Sequence, residues 1–411
     1  MKIRLSVILA AFFIVFSVGC SRINAEMGDI RQKEIDRITQ EKIGEITQKV
    51  VEQKTEEITN QIIEQRTREI TDSMIGDIDA DRTGNQVQAV CSLEPKNREF
   101  SSNNYYVGQL IDTHVHMPVS SSLVSSVAIQ AGFEDMPAFD SSLSIDFLAC
   151  LFESEGIKKV FGFYLIPNLA LSSAVNKAKE METKHPSMIV AFFMPPPVSA
   201  LSPSTSQIND IVTENKDLFR GIGEIAMEKG SFSSKNIEDQ DLMEMYAIAG
   251  QNKLVIMVHP RQEQKNAVDR ILAKYPNINF LLHGGRDIEG WIPDLLEKYD
   301  NAFYSMDANL VQLYGWDRGQ ASASPTKEEF LAYFRQNFES ILEEELEYWK
   351  PFIEKYPDQY TWGTDRWYRW HFDAEVGGLL EEFGRSFIGN LDPEVQEKIA
   401  YKNAEKILET K

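Results

Sequence analysis

Two histidines one residue apart, His114 and His116, close the run Leu110-Ile111-Asp112-Thr113 and are the first residues of this 411-residue chain whose spacing suggests chemistry. Residues 107–111 read as a buried strand opened by Gly108. Side chains at i and i+2 of a strand share a face, so both imidazoles converge at its C-terminal end, as two ligands of one metal ion would. Alone the pair is weak, since histidines at this spacing also occur as ordinary surface or core residues. Other polar residues then recur in equivalent places. Predicted strands at 160–167, 188–194, 219–227, 254–259, 279–283, 302–306 and 360–365 bring Glu224 to the end of the fourth, His259 to the fifth, His283 to the sixth and Asp365 to the eighth. Four of the six histidines in the chain thus fall at strand ends. Four imidazoles and two carboxylates have the types and number to hold one or two divalent ions, and zinc's preferences match them. An ion with open coordination positions activates water. His185, before Pro186, reads as solvent-exposed; for His371, just past the eighth strand, contact with substrate is open.

Something must hold these residues at one point in space. Helical patterns at 171–184, 241–251, 262–275 and 291–299 alternate with the near-continuous apolar strands, which argues a parallel sheet covered on its outer face. Eight such units predict an α/β fold, a closed (β/α)8 TIM barrel, whose active site lies at the C-terminal ends of its strands. Residues 310–357 break the rhythm: long, aromatic and acidic, with a helical stretch at 327–348, they are expected to cap the barrel mouth or form an oligomer contact. Loop arginines Arg261, Arg286 and Arg366 follow strand ends and suit a carboxylate or phosphate on a substrate, unless they are simply solvated or paired with acids. Trp362, Trp367, Tyr368 and Trp370 could stack on a ring or tether the insertion.

The order of these pieces resembles the amidohydrolase superfamily of metal-dependent barrel hydrolases, with His-x-His on strand one, His on strands five and six, and Asp on strand eight. Residues 107–118, 221–225, 258–260, 283–285 and 363–365 match in order, and 398–404 looks like that family's closing helix. The resemblance covers residues 107–408 apart from the insertion. It implies that His114, His116, His259 and Asp365 hold a first divalent metal, and that His283 completes the shell, supports a second ion with Glu224, or binds substrate. Within the superfamily, Gly223-Glu224-Ile225 looks like the TatD-like branch, whose strand-four Glu bridges two metals; the amidohydrolase-2-like branch is often mononuclear. Asp365 is the implied general base and then acid, and His283 the residue that polarises the substrate carbonyl. The expected activity is hydrolysis of an amide, ester or lactone of a small anionic molecule. A carbon–carbon lyase of the same superfamily, such as a decarboxylase, and a non-catalytic binding lipoprotein are the alternatives.

The N-terminal quarter carries a different message. Lys2 and Arg4 precede an apolar stretch at 5–16, too short for a membrane span and patterned as an export signal. Ser17-Val18-Gly19-Cys20 resembles a bacterial lipobox, which implies a signal peptide at 1–19, lipid on Cys20 and a chain anchored to a membrane on the exported side. Residues 20–83 are rich in Glu, Lys, Gln, Arg and Ile and predict a helical stalk. Isoleucines recur at intervals of eight and twelve rather than seven, so self-association and a plain charged spacer are both open. Residues 84–106 read as a linker before the barrel domain at 107–411. With Cys20 lipidated, Cys91 and Cys150 either pair or remain separate thiols. A formal net charge of -21 argues against nucleic-acid binding; the partner that the resemblance implies is a small-molecule substrate.

Overall fold

The computed structural model describes residues 93, 97–100, 104–118, 143–196, 202–227, 230–284, 288, 290–306 and 326–409. The expected signal peptide, Cys20, the stalk at 20–83, Cys91 and Arg286 lie outside the described residues. Eight strands, β1 (Leu110–Met117), β2 (Ile157–Leu165), β3 (Ile189–Met194), β4 (Phe219–Ala226), β5 (Val255–His259), β6 (Phe280–Leu282), β7 (Ala302–Met306) and β8 (Tyr360–Trp362), form one sheet in sequential order. Every neighbouring pair is parallel. β1 runs six residues beyond the predicted end of its strand, so that both histidines lie within it; Val115 and Met117 continue the buried pattern. Between β8 and β1 the sheet nearly closes, through a parallel bridge from Val115 to Arg366 and a His116 N–H···O=C Arg366 bond of 2.9 Å. Inside the seam, Thr113 Oγ1 lies 3.0 Å from both Ser305 Oγ and Thr361 Oγ1 and donates to the Trp362 carbonyl at 2.9 Å. The architecture is a TIM barrel.

Helices cover the outer face because each carries one apolar stripe. In the helix Lys265–Lys274, Ala267, Val268, Ile271 and Leu272 are the buried positions, all on one side. Among the described residues the α-helices are, in chain order, α1 (Ile145–Ser154), α2 (Leu171–Lys184), α3 (Thr205–Glu214), α4 (Gln240–Asn252), α5 (Lys265–Lys274), α6 (Ile292–Lys298), α7 (Lys327–Lys355), α8 (Ala374–Gly389), α9 (Pro393–Glu397) and α10 (Asn403–Ile407). The segment from α9 to α10 is fastened where β6 and β8 begin. There Asn403 Nδ2 donates to the carbonyls of Pro357 and Tyr360 at 2.8 and 2.7 Å, and the Ile407 carbonyl accepts from Asn279 Nδ2 at 2.8 Å. Among the described residues no helix is long and apolar enough to cross a membrane.

Two segments are built more tightly into the domain than their composition suggested. In the described part of the 310–357 insertion, residues 326–357, the large aromatic positions turn into the protein. This part is α7, the crossover helix between β7 and β8, and its stripe of Phe330, Phe334, Phe338, Ile341, Leu342, Trp349 and Ile353 is buried. Phe334 and Phe338 pack on Phe383 of α8 at ring-centroid distances of 5.2 and 5.3 Å. The aromatic richness read as an interface is lateral core. The end of the expected linker is also bound to the barrel wall. Phe100 stacks on Phe338 at 3.9 Å, Glu99 pairs with Arg335 at 2.7 Å, and the Glu382 carboxylate accepts the N–H groups of Glu99 and Phe100 at 2.8 Å each. On α1, Cys150 is disulfide-bonded.

Because Phe334 is fully buried, Phe334→Ala should lower the unfolding free energy by about 3–5 kcal/mol. Urea unfolding checks this; an unchanged midpoint would return α7 to the status of a peripheral cap.

Candidate metal centre

Four of the six ligand-type side chains, those of His114, His116, Glu224 and Asp365, reach the barrel mouth through a local departure from regular strand. In β1 the pairing with β2 shifts between Asp112 and Val115, which places an extra residue opposite β2 and turns His114 and His116 toward the axis. Asp112 fixes that bulge: fully buried, it accepts the N–H of His114 at 3.1 Å and of Thr364 at 3.0 Å, and the Thr364 hydroxyl at 2.5 Å. Burial outweighs these bonds and the Arg366 charge, and pushes the Asp112 carboxyl up to about 6. A second shift interrupts β4 between Ile222 and Ile225, at Gly223. Its φ of 137° and the Met257 carbonyl beside it leave no room for a side chain, so glycine is required there to deliver Glu224 inward. His259 ends β5, His283 follows β6, and Asp365 lies past β8 with φ 48°.

The six sequence-predicted ligands come together. His116 Nε2 lies 3.2 Å from Asp365 Oδ1 and 3.5 Å from Glu224 Oε2; His114 Nε2 lies 3.5 and 3.7 Å from the same two atoms. On the other side, Glu224 Oε1 is 3.3 Å from His259 Nδ1 and 3.5 Å from His283 Nε2, while Asp365 Oδ2 is 3.9 Å from His283 Nε2. Ligands of a tetrahedral ion, with bonds of about 2.0–2.1 Å, stand about 3.4 Å from one another. The observed separations scatter around that value, so the donor set fits a small divalent cation. Three overlapping groups have the right closeness: His114–His116–Glu224, His114–His283–Asp365 and Glu224–His259–His283. Burying two carboxylates is costly unless positive charge meets them. Burial pushes Glu224 and Asp365 up, but the surrounding histidines outweigh it and hold both carboxyls below their ordinary range. Burial also lowers His116, which favours the neutral ring that a ligand must be.

The other candidates separate. Arg366, expected to meet substrate, is instead fully buried, with its guanidinium spent on Glu155, at 3.0 and 2.6 Å, and on Thr364 Oγ1 at 3.3 Å. Arg261 is half-buried and braces the loop after β4, donating to the carbonyls of Met227, Phe232 and Lys235 and to Glu263. Arg286 lies outside the described residues. Of the four aromatic residues, Trp362 is buried core, and Tyr368 and Trp370 stack on each other, with Trp370 also against Phe330 of α7. Trp367, half-buried, stands edge-on to His116 at 5.5 Å. His185 is half-buried against Asp146, at 2.9 Å, rather than solvated. Sequence reasoning missed Asp112, Thr364 and Glu155. A lone carboxylate inside an apolar strand was a usable signal for Asp112; Glu155, at a helix end, gave none.

A protein-family model described as "Amidohydrolase" matches residues 175–410, more than half of the chain. That span takes in Glu224, His259, His283 and Asp365, while β1 with its two histidines precedes it. Comparison with curated proteins gives no match. Among solved structures, similarity extends to an amidohydrolase from Burkholderia multivorans with bound zinc (15% identity, 74% of this chain and 100% of that one, TM-score 0.49). It extends also to a putative 2-pyrone-4,6-dicarboxylic acid hydrolase from Pseudomonas putida (13%, 73% and 97%, 0.45). A third is 5-carboxyvanillate decarboxylase from Novosphingobium aromaticivorans complexed with manganese (13%, 75% and 99%, 0.44).

His371 lies beside this centre but is buried rather than open to substrate. Its Nδ1 accepts the N–H groups of Trp367 and Tyr368 at 3.1 and 3.3 Å, which puts the ring proton on Nε2. Burial drives the imidazole down to about 3, against the charge of Asp365 and aided by Arg366. The unfolded chain protonates this histidine near 6.5, so its contribution to stability is complete above that pH and is lost as pH falls toward 3. Between pH 7 and pH 4 the loss amounts to about 3 kcal/mol. His371→Asn keeps an acceptor for the two N–H groups and does not titrate. Its unfolding free energy should therefore fall less steeply over that range, by a similar amount, in urea titrations at the two pH values; parallel slopes would contradict the assignment.

Proposed function

Because the chain belongs to the amidohydrolase family, we propose that it is a metal-dependent hydrolase acting on an amide, ester or lactone of a small molecule. The observation that carries this reading is the convergence of four imidazoles and two carboxylates, at separations of 3.2–3.9 Å, at the C-terminal mouth of the barrel. Donor distances support one ion among His114, His116, Asp365 and Glu224. They group His259 and His283 around the other oxygen of Glu224, as the frame of a second position, where the resemblance had assigned His259 to the first. Imidazole and carboxylate ligands make zinc the proposed ion. When bound, such an ion acidifies water and polarises a carbonyl.

The chain's own residues do the rest. Asp365, held ionised, accepts the proton of the attacking water and returns it to the leaving group. His283 lies within reach of both carboxylates; with a single ion in place it is proposed to orient the substrate carbonyl through Nε2, the atom that would hold a second ion in the two-ion form. An anionic substrate no longer follows from Arg366, whose charge is already matched by Glu155. We also propose that the protein works outside the cytoplasm, anchored through lipid on Cys20 and held off the membrane by the 20–83 stalk. The disulfide at Cys150 supports that placement, since such bonds persist in oxidising compartments.

The test is metal analysis joined to isotope tracing on full-length protein reconstituted with zinc. Wild type should retain zinc stoichiometrically, and a His114→Ala/His116→Ala variant should lose it together with activity. Turnover of a hydrolysable substrate in oxygen-18 water should place one labelled oxygen in the product. Release of carbon dioxide from a carboxylated substrate without label uptake would assign a lyase instead, and a folded wild-type protein without metal would leave only a binding role.

A further inference from the structure

Asp365 is one of three described non-glycine residues with positive φ, at 48°, and it is the one of them in the cluster at the barrel mouth. The left-handed region is unfavourable for side chains other than glycine and persists only where surrounding structure imposes it. The two residues flanking Asp365 show how it is imposed. On one side Thr364 is tied by its N–H and its hydroxyl to the Asp112 carboxylate. On the other, the carbonyl of Arg366 accepts the His116 N–H, and its guanidinium turns away from the mouth into the barrel wall. There it meets Glu155, the residue capping the C-terminus of α1, in a two-bond fork of 3.0 and 2.6 Å. Arg366 Nε also reaches back to Thr364 Oγ1 at 3.3 Å, which closes a ring of contacts around Asp365.

Both partners of this fork are sealed from solvent, with side-chain exposures of 0 and 2%. Phe152 lies 5.6 Å beneath the guanidinium. At Gly377 of α8 a side chain would run into the Glu155 carboxylate, so the helix itself is shaped to admit the pair. A buried pair of this kind gains little stability over apolar residues of the same size, because desolvation offsets its attraction. What a fork of fixed geometry does supply is orientation. We propose that Glu155 and Arg366 are positioning residues of the metal centre: their buried fork holds Asp365 in the left-handed conformation that aims its carboxylate at His114 and His116. The proposal rests on the reading that Asp365 is a ligand.

The experiment compares wild type, Arg366→Lys and the double variant Glu155→Leu/Arg366→Met, in which neither member of the fork is left as a lone buried charge and Asp112, which loses the Arg366 charge, keeps its bonds from the His114 and Thr364 N–H groups and the Thr364 hydroxyl. The first readout needs no metal: a crystal structure of the metal-free double variant. Asp365 should have left the left-handed region, with its carboxylate displaced from His116. The second is titration of each full-length protein with cobalt(II), followed by its visible absorption. Affinity should fall at least tenfold in the double variant, with an altered spectrum, and to an intermediate degree in Arg366→Lys, which keeps the charge without the fork. A thermal midpoint close to wild type accompanies both, and separates loss of position from loss of fold. An Asp365 unmoved in the crystal, or cobalt bound with wild-type affinity and spectrum, would overturn the proposal. Failure of wild type itself to bind cobalt would instead remove the metal reading, and the crystal structure would still decide whether the fork positions Asp365.

Discussion

Two carboxylates, Glu224 and Asp365, lie almost without solvent among four imidazoles, and the cost of that burial shapes the rest of the molecule. Ionised carboxylates in such surroundings must meet positive charge or take up a proton. Here they stay ionised because imidazole nitrogens face them from three other strands. The arrangement stores an electrostatic demand at one point, which a divalent cation satisfies. The barrel supplies what the demand requires, a rigid frame that brings six side chains from five strand ends together with donor atoms 3.2–3.9 Å apart.

Regular strands alone would not do this. β1 and β4 each depart from even pairing where a ligand must turn inward, and β8 gives way after three residues to the turn that carries Asp365. The polar partners of these irregularities are buried as deeply as the ligands. Asp112 joins the bulge of β1 to the turn after β8, and the hydroxyls of Thr113, Ser305 and Thr361 line the seam where the sheet meets itself. Barrel closure and site construction are therefore one event, since the contacts that bring β8 to β1 are those that set His116 beside Asp365.

Much of this was legible in the residues. The eight apolar runs and the histidines at their ends predicted the barrel and its six converging side chains, because a period of two and burial on both faces leave a clear trace. Less visible were interactions whose partners are far apart in sequence. Nothing near Arg366 distinguishes an arginine for substrate from one that pairs with Glu155, 211 residues earlier. The aromatic, acidic stretch ending at 357 looked like a cap because its apolar positions were read without a partner; α8 provides one. His371 was placed near the site correctly, but its burial depends on the turn at 367–371 folding back upon it.

The central claim is that the six side chains form one cation site, and anomalous diffraction from crystals soaked in zinc measures it most directly. If the buried carboxylates exist to hold a cation, an anomalous peak should lie between Asp365 and Glu224, with His114 and His116 at about 2.0–2.2 Å. A second peak between Glu224, His259 and His283 would give the two-ion form of the same site. Density elsewhere on the barrel with this cluster unchanged would contradict the account.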